Sequence, residues 1–138
     1  MPKNCKVAIV IPTHKSKLNQ DDLISLKHLK KHLSKYDKYF CIPQKVNSKS
    51  LNVHGFKFIH FPNNYFDTWR GYNELLLTKD FYLPFKKYDY ILLYQTDVLV
   101  FSDQLPFWCK NGYDFVAAPW FSPVIGTLSH KEGSPPSG

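Results

Sequence analysis

Two stretches of this 138-residue chain are continuously apolar, Val7-Ala8-Ile9-Val10-Ile11 and Tyr90-Ile91-Leu92-Leu93-Tyr94. Runs of that length without alternation are how strands covered on both faces of a parallel sheet read. The first predicts strand one and the second a central strand. Between them, Leu23, Leu26, Leu29 and Leu33, with Ile24 alongside, recur at helical spacing and predict an apolar stripe facing a sheet. Asn19 suits the cap of that helix, and Asp21 and Asp22 in its first turn complement the helix dipole.

Tyr39-Phe40-Cys41-Ile42-Pro43 reads as strand two. Phe56 to Phe61 reads as strand three, whose alternation suits an edge with one wetter face. The polar stretch from Gln44 to Gly55 is expected as a surface loop or poorly formed helix. After an Asn-rich turn at Phe61 to Asp67, Thr68 to Phe85 predicts a helix bent near Pro84, with Leu75, Leu76, Leu77, Phe81 and Phe85 on its buried face. Ser102-Asp103-Gln104-Leu105 reads as the cap and first turn of a short helix that stops at Asn111-Gly112. Tyr113 to Ala118 is expected to form a last strand. Strand, helix, strand, loop, strand is the logic of a parallel α/β sheet. From Ser122 the chain turns to Ser, Gly and Pro, a flexible tail over 122–138 that follows one domain over 1–121.

Composition narrows the classes. At 43% hydrophobic and 17% aromatic the chain is expected to fold. No segment reaches the roughly 20 apolar residues that span a bilayer, and Met1 to Lys6 lacks the apolar core of a signal peptide, so the expected compartment is the cytoplasm. The three cysteines, Cys5, Cys41 and Cys109, are odd in number and far apart, which argues against a disulfide framework and a zinc knuckle. They read as ordinary buried or half-buried thiols. His54 and His60 have no neighbouring ligands in sequence and read as structural.

The net charge of +7 points to anionic partners. Of the 18 basic residues only Arg70 is an arginine, which excludes sequence-specific nucleic-acid readout as an expectation, since that leans on the guanidinium fork. The Lys-rich helix, with Lys27, His28, Lys30, Lys31, His32 and Lys35, is either a solvated face or a peripheral contact at the inner face of a membrane.

The polar breaks carry the candidate chemistry. Pro12-Thr13-His14-Lys15 follows strand one at once, without the GxGxxG of a dinucleotide site. Gln95-Thr96-Asp97 follows the strand at Tyr90–Tyr94 and ends in a lone carboxylate. In open α/β sheets ligands sit beyond the carboxyl ends of the strands, so both steps occupy the position such a site requires. Arg70, Tyr72 and Asn73 stand at a helix start, where a guanidinium and exposed N–H groups make an anion site. A surface pair of Arg70 with Asp67 or Glu74 is the competing reading.

The block Tyr94-Gln95-Thr96-Asp97, Val100-Phe101, Asp103, Leu105, Trp108-Cys109, Gly112-Tyr113-Asp114-Phe115 and Ala118-Pro119-Trp120 resembles that of an uncharacterised bacterial and viral family, YQxDxxVFxDxLxxWCxxGYDYxxAPW. More broadly it resembles GT-A-type glycosyltransferases that use nucleotide sugars. The likeness extends to Val7 through Lys15 and to Tyr72-Asn73, Leu75-Leu76-Leu77 and Phe81-Tyr82.

The resemblance implies the Rossmann-like half of a GT-A fold, a mostly parallel twisted sheet flanked by helices, and transfer of a sugar from a nucleotide-diphosphate sugar to a glycan or glycolipid hydroxyl. It implies that Pro12, Thr13, His14, Lys15, Arg70, Tyr72, Asn73, Gln95, Thr96 and Asp97 hold the donor, and that Pro119 and Trp120 lie on the acceptor side. It implies Mn2+ or Mg2+ on Asp97, arriving with the donor, because Gln95 replaces the first acid of the usual Asp-x-Asp. Asp103 reads as a helix cap rather than a second metal ligand, and no general base is assigned. The alternative is a non-catalytic nucleotide-sugar binding domain or assembly partner. A basic surface-binding module is a third reading.

Overall fold

A computed structural model describes residues 4–118. Four parallel strands, β1 (Val7–Pro12), β2 (Asp37–Pro43), β3 (Lys57–Phe61) and β4 (Tyr90–Leu93), form one sheet in the order β3-β2-β1-β4. Helices cover both faces, so the chain is an α/β fold of the Rossmann-like kind.

The period-2 geometry of a strand divides each apolar run between two cores. Ile9 and Ile11 of β1 and Phe40 and Ile42 of β2 point to one side, where helix α1 (Gln20–His32) lays Leu26 and Leu29 over them, with Leu33 just past its end. Ala8, Val10, Tyr39 and Cys41 point to the other side. They meet Leu75 of α2 (Trp69–Leu76), Phe81 of α3 (Lys79–Tyr82) and Phe85. Both helix layers are needed because β1 and β2 are apolar on both faces.

Several expectations change. β4 is not central: it pairs only with β1 among the described strands, and Leu93 is 41% exposed. The fully covered strands are β1 and β2. The single helix expected from Thr68 to Phe85 is α2, α3 and a 3-10 turn at Leu83–Phe85, because the hydroxyl of Thr78 accepts the N–H of Phe81 and starts a new helix. In the α1 stripe, Leu23 and Ile24 are exposed. The stretch from Gln44 to Gly55 contains a 3-10 turn at Ser48–Leu51. Helix α4 (Leu105–Lys110) forms as expected, but Tyr113 to Ala118 is not a strand and its side chains are exposed. Pro119 and Trp120 lie outside the described residues.

Candidate functional site at the carboxyl edge of the sheet

Because β1 and β4 are adjacent and parallel, with Val10 beside Leu93, their following loops leave the same edge. The Thr13–Lys15 loop turns on its own polar groups. The N–H of Thr13 continues the sheet to the carbonyl of Cys41 at 3.0 Å, and its Oγ1 accepts the N–H of Lys15 at 3.2 Å. Pro12 is the last residue of β1, and His14 is exposed.

The residue that joins the two loops is Asp22, in the first turn of α1 and 2% exposed. Its carboxylate takes two hydrogen bonds from Lys15 Nζ, at 2.8 and 2.9 Å, and one from the backbone N–H of Asn19 at 2.8 Å. It takes a further one from the hydroxyl of Thr96. Asn19 returns the favour through Oδ1, which accepts the Asp22 N–H at 2.9 Å and closes a capping box. Burial alone would raise this carboxyl, but the Lys15 ammonium, the Thr96 hydroxyl and the Asn19 amide outweigh it and hold it below the usual carboxylate range.

The Gln95–Val98 turn is fastened at three further points. Tyr94 Oη lies 2.6 Å from Ser25 Oγ in the interior, and both hydroxyls reach the carbonyl of Val98. Burial raises the Tyr94 phenol, keeping it a neutral donor. On the other face of the sheet, burial pushes up the phenol of Tyr72 from α2, and the nearby Gln95 side chain partly offsets this. The Val98 N–H closes the turn on the Gln95 carbonyl at 3.4 Å. Asp97, at the tip, is exposed and enters none of the ion pairs among the described residues.

The edge therefore gathers Pro12, Thr13, His14, Lys15, Tyr72, Gln95, Thr96 and Asp97. Arg70 and Asn73 stand on α2, which starts just beyond β3. The Arg70 guanidinium is exposed and donates to Glu74 Oε1 at 3.3 Å, as the surface-pair reading expects. Trp69, beside it, is 82% exposed and was not singled out in sequence. Its signal was only its place at the first position of a helix.

Asp103 is engaged elsewhere. It accepts Tyr36 Oη at 3.0 Å, Lys35 Nζ at 2.9 Å and the N–H of Leu105, but it is not the cap: that position is Gln104, whose side chain makes no cap hydrogen bond, and Asp103 stands one residue before it. Asp89 sits before β4 at the opposite edge, accepting the N–H of Lys6. Among the described residues no group of three or more His, Cys, Asp or Glu could hold a metal ion. No described helix is long and apolar enough to cross a membrane. Cavities of about 750 Å3 and about 460 Å3 lie along the amino ends of the strands and beside β4, and Asp97, Thr13 and Lys15 line neither.

A family model described as a protein of unknown function, DUF5672, matches residues 55–134, more than half of the chain. The chain belongs to the DUF5672 family. The matched span carries Tyr72, Gln95, Thr96 and Asp97, while β1, Lys15 and Asp22 of this DUF5672 chain precede it. No curated protein and no solved structure matches the chain.

Proposed function

We propose that this chain is the donor-binding part of a glycosyltransferase, which takes a nucleotide-diphosphate sugar at the carboxyl edge of the sheet and passes its sugar to a glycan or glycolipid hydroxyl. The observation that carries this reading is the bridge through Asp22, which holds the loop after β1 and the Asp97 loop at one sheet edge. Ligands of open parallel sheets bind at that edge.

The residues divide the work by their remaining capacity. An ammonium has three N–H donors, and Lys15 spends two on Asp22, which leaves one for a phosphate oxygen. Its side chain is 36% exposed, enough to be reached. Thr13 and His14 face the nucleoside from the same loop. Trp69 offers a flat exposed ring against which a base or sugar face can pack. Ser25 and Tyr94, both on the Val98 carbonyl, fix the turn, and so the direction in which Asp97 projects.

The donor set fits a hard cation only when it arrives with the nucleotide. A single exposed carboxylate makes a weak site alone, whereas Asp97 plus two phosphates suits Mn2+ or Mg2+. Such an ion would neutralise charge on the leaving diphosphate. On the acceptor side, the exposed Leu23 and Ile24 among Lys27 and Lys31 suit a glycolipid presented at an anionic surface.

A second reading, donor binding without transfer, draws on the commitments of Asp89 and Asp103, neither of which is placed to act as a base at this edge. Titrating UDP- and GDP-sugars with and without Mn2+ tests the donor site, and adding saccharide or glycolipid acceptors tests transfer. Metal-dependent binding followed by release of free nucleotide is expected. Binding without release favours the second reading, and no binding of any nucleotide sugar overturns both.

A further inference from the structure

At the amino edge of the sheet, Cys5 stands two residues before β1 and Cys109 lies in α4, 104 positions later in the chain. Burial, and after it the neighbouring Cys109 thiol, push the Cys5 thiol up. The fold brings them together by a definite route. After Asp97 the chain runs beside α1 toward the amino edge, with the Val98 carbonyl at Ser25, the Val100 carbonyl 3.2 Å from His28 Nδ1, and Asp103 at Tyr36 and Lys35. α4 then places Cys109 against the entry to β1. Both thiols line the cavity of about 750 Å3, whose wall also carries Lys6, Lys35, Lys87 and Lys110 with Asp37 as its acid.

From this geometry we propose that Cys5 and Cys109 form a reversible intramolecular disulfide, made and broken by exchange with a small anionic disulfide such as glutathione disulfide. The cavity gives a small reagent access to both sulfurs, and four lysines against one carboxylate favour a reagent that carries carboxylates. Cys41, buried on the α2 and α3 side of the sheet, is out of reach.

The exchange balances in two steps. The Cys109 sulfur, after losing its proton to solvent, attacks one sulfur of the reagent, forms a mixed disulfide and expels the first glutathione as thiolate. Cys5 then gives up its proton, attacks the Cys109 sulfur and expels the second. Two protein thiols are oxidised, one reagent disulfide is reduced, and the two protons end on the departing thiols. Cys5 is the resolving partner because burial and the neighbouring Cys109 and Asp89 groups push its thiol up to about 12, leaving little thiolate at neutral pH. The bond would tie α4, and with it the far end of the segment that begins at Asp97, to the start of β1.

The test is oxidation of the 138-residue chain with glutathione disulfide, followed by peptide mapping without reduction. A peptide joining Cys5 to Cys109, the loss of two of the three titratable thiols, and recovery of both with dithiothreitol are expected. In Cys5→Ser, Cys109 should instead keep one glutathione as a stable adduct. Cys5 and Cys109 recovered as free thiols, as separate glutathione adducts, or joined between two chains would overturn the proposal. The wild-type map decides even where a variant fails to fold.

Discussion

The Thr96 hydroxyl donates to the Asp22 carboxylate across 74 positions of sequence, while Lys15 holds both oxygens of the same carboxylate. One side chain in the first turn of a helix thus serves as the common anchor of two strand-end loops.

Replacing Asp22 by Ala removes the partner of three donors at once: the Lys15 ammonium, the Thr96 hydroxyl and the Asn19 N–H. The Lys15 head is partly exposed and water can serve it, so the loss falls below that of a fully buried pair. A fall in stability of about 2–3 kcal/mol is expected, read as a lower urea midpoint at unchanged slope. Thr96→Ala removes one of the three contacts and should cost about 1 kcal/mol. Equal effects of the two substitutions would show that Asp22 is not the hub.

The same carboxylate sets a pH dependence. Asp22 is held below the usual carboxylate range, as are Asp37, chiefly by the Tyr88 hydroxyl and Lys57, and Asp103, where Lys35 and Tyr36 outweigh burial. Each binds its proton more weakly folded than unfolded. The stability they contribute is therefore complete above the unfolded value of about 4 and is lost as pH falls through their lower folded values. Urea midpoints measured from pH 7 to pH 2 should stay level to about pH 5 and then drop. Asp22→Asn should flatten part of that drop.

Gly71 is where backbone packing leaves no room. A Cβ there would sit 2.7 Å from the carbonyl oxygen of Asn64 and 3.3 Å from Thr68 Oγ1, at the close approach of α2 to the 3-10 turn at Asn63–Phe66. Alanine is the better helix former by about 1 kcal/mol. The clash with a backbone oxygen outweighs that gain, so Gly71→Ala should destabilise by about 1–3 kcal/mol in thermal or urea unfolding. A stabilised variant would mean that the turn yields freely.

Much of this architecture was legible because its signals are local. Val7 to Ile11 is apolar at both parities, and only a strand covered on both faces tolerates that. Asn19 ahead of Asp21 and Asp22 announces the start of a helix. The place of β4 was less legible, since an apolar run such as Tyr90 to Tyr94 does not say which neighbours a sheet supplies. Likewise, Tyr113 to Ala118 has the side chains of a strand but no described ladder partner. Asp22 and Cys109 show the harder limit. In the sequence Asp22 reads as a dipole partner and Cys109 as an ordinary thiol, because Lys15 with Thr96 in one case, and Cys5 in the other, come near them only in the folded chain.

Asp97 offers the sharpest contrast with Asp22. It is exposed and enters no ion pair among the described residues, so Asp97→Ala should change stability by no more than about 0.5 kcal/mol. If its carboxylate completes a cation site with a donor diphosphate, the same substitution should remove the metal-dependent part of nucleotide-sugar binding. Any weaker metal-independent affinity, supplied by the Thr13–Lys15 loop, should remain. Asp22→Ala should instead lower both, since it releases Lys15 as well as the turn that carries Asp97. Calorimetric titration of the folded variants, with Mn2+ present and then chelated, separates these patterns. Unaltered metal-dependent binding by Asp97→Ala would remove Asp97 from the site and leave the Lys15–Asp22–Thr96 bridge as a purely structural clasp.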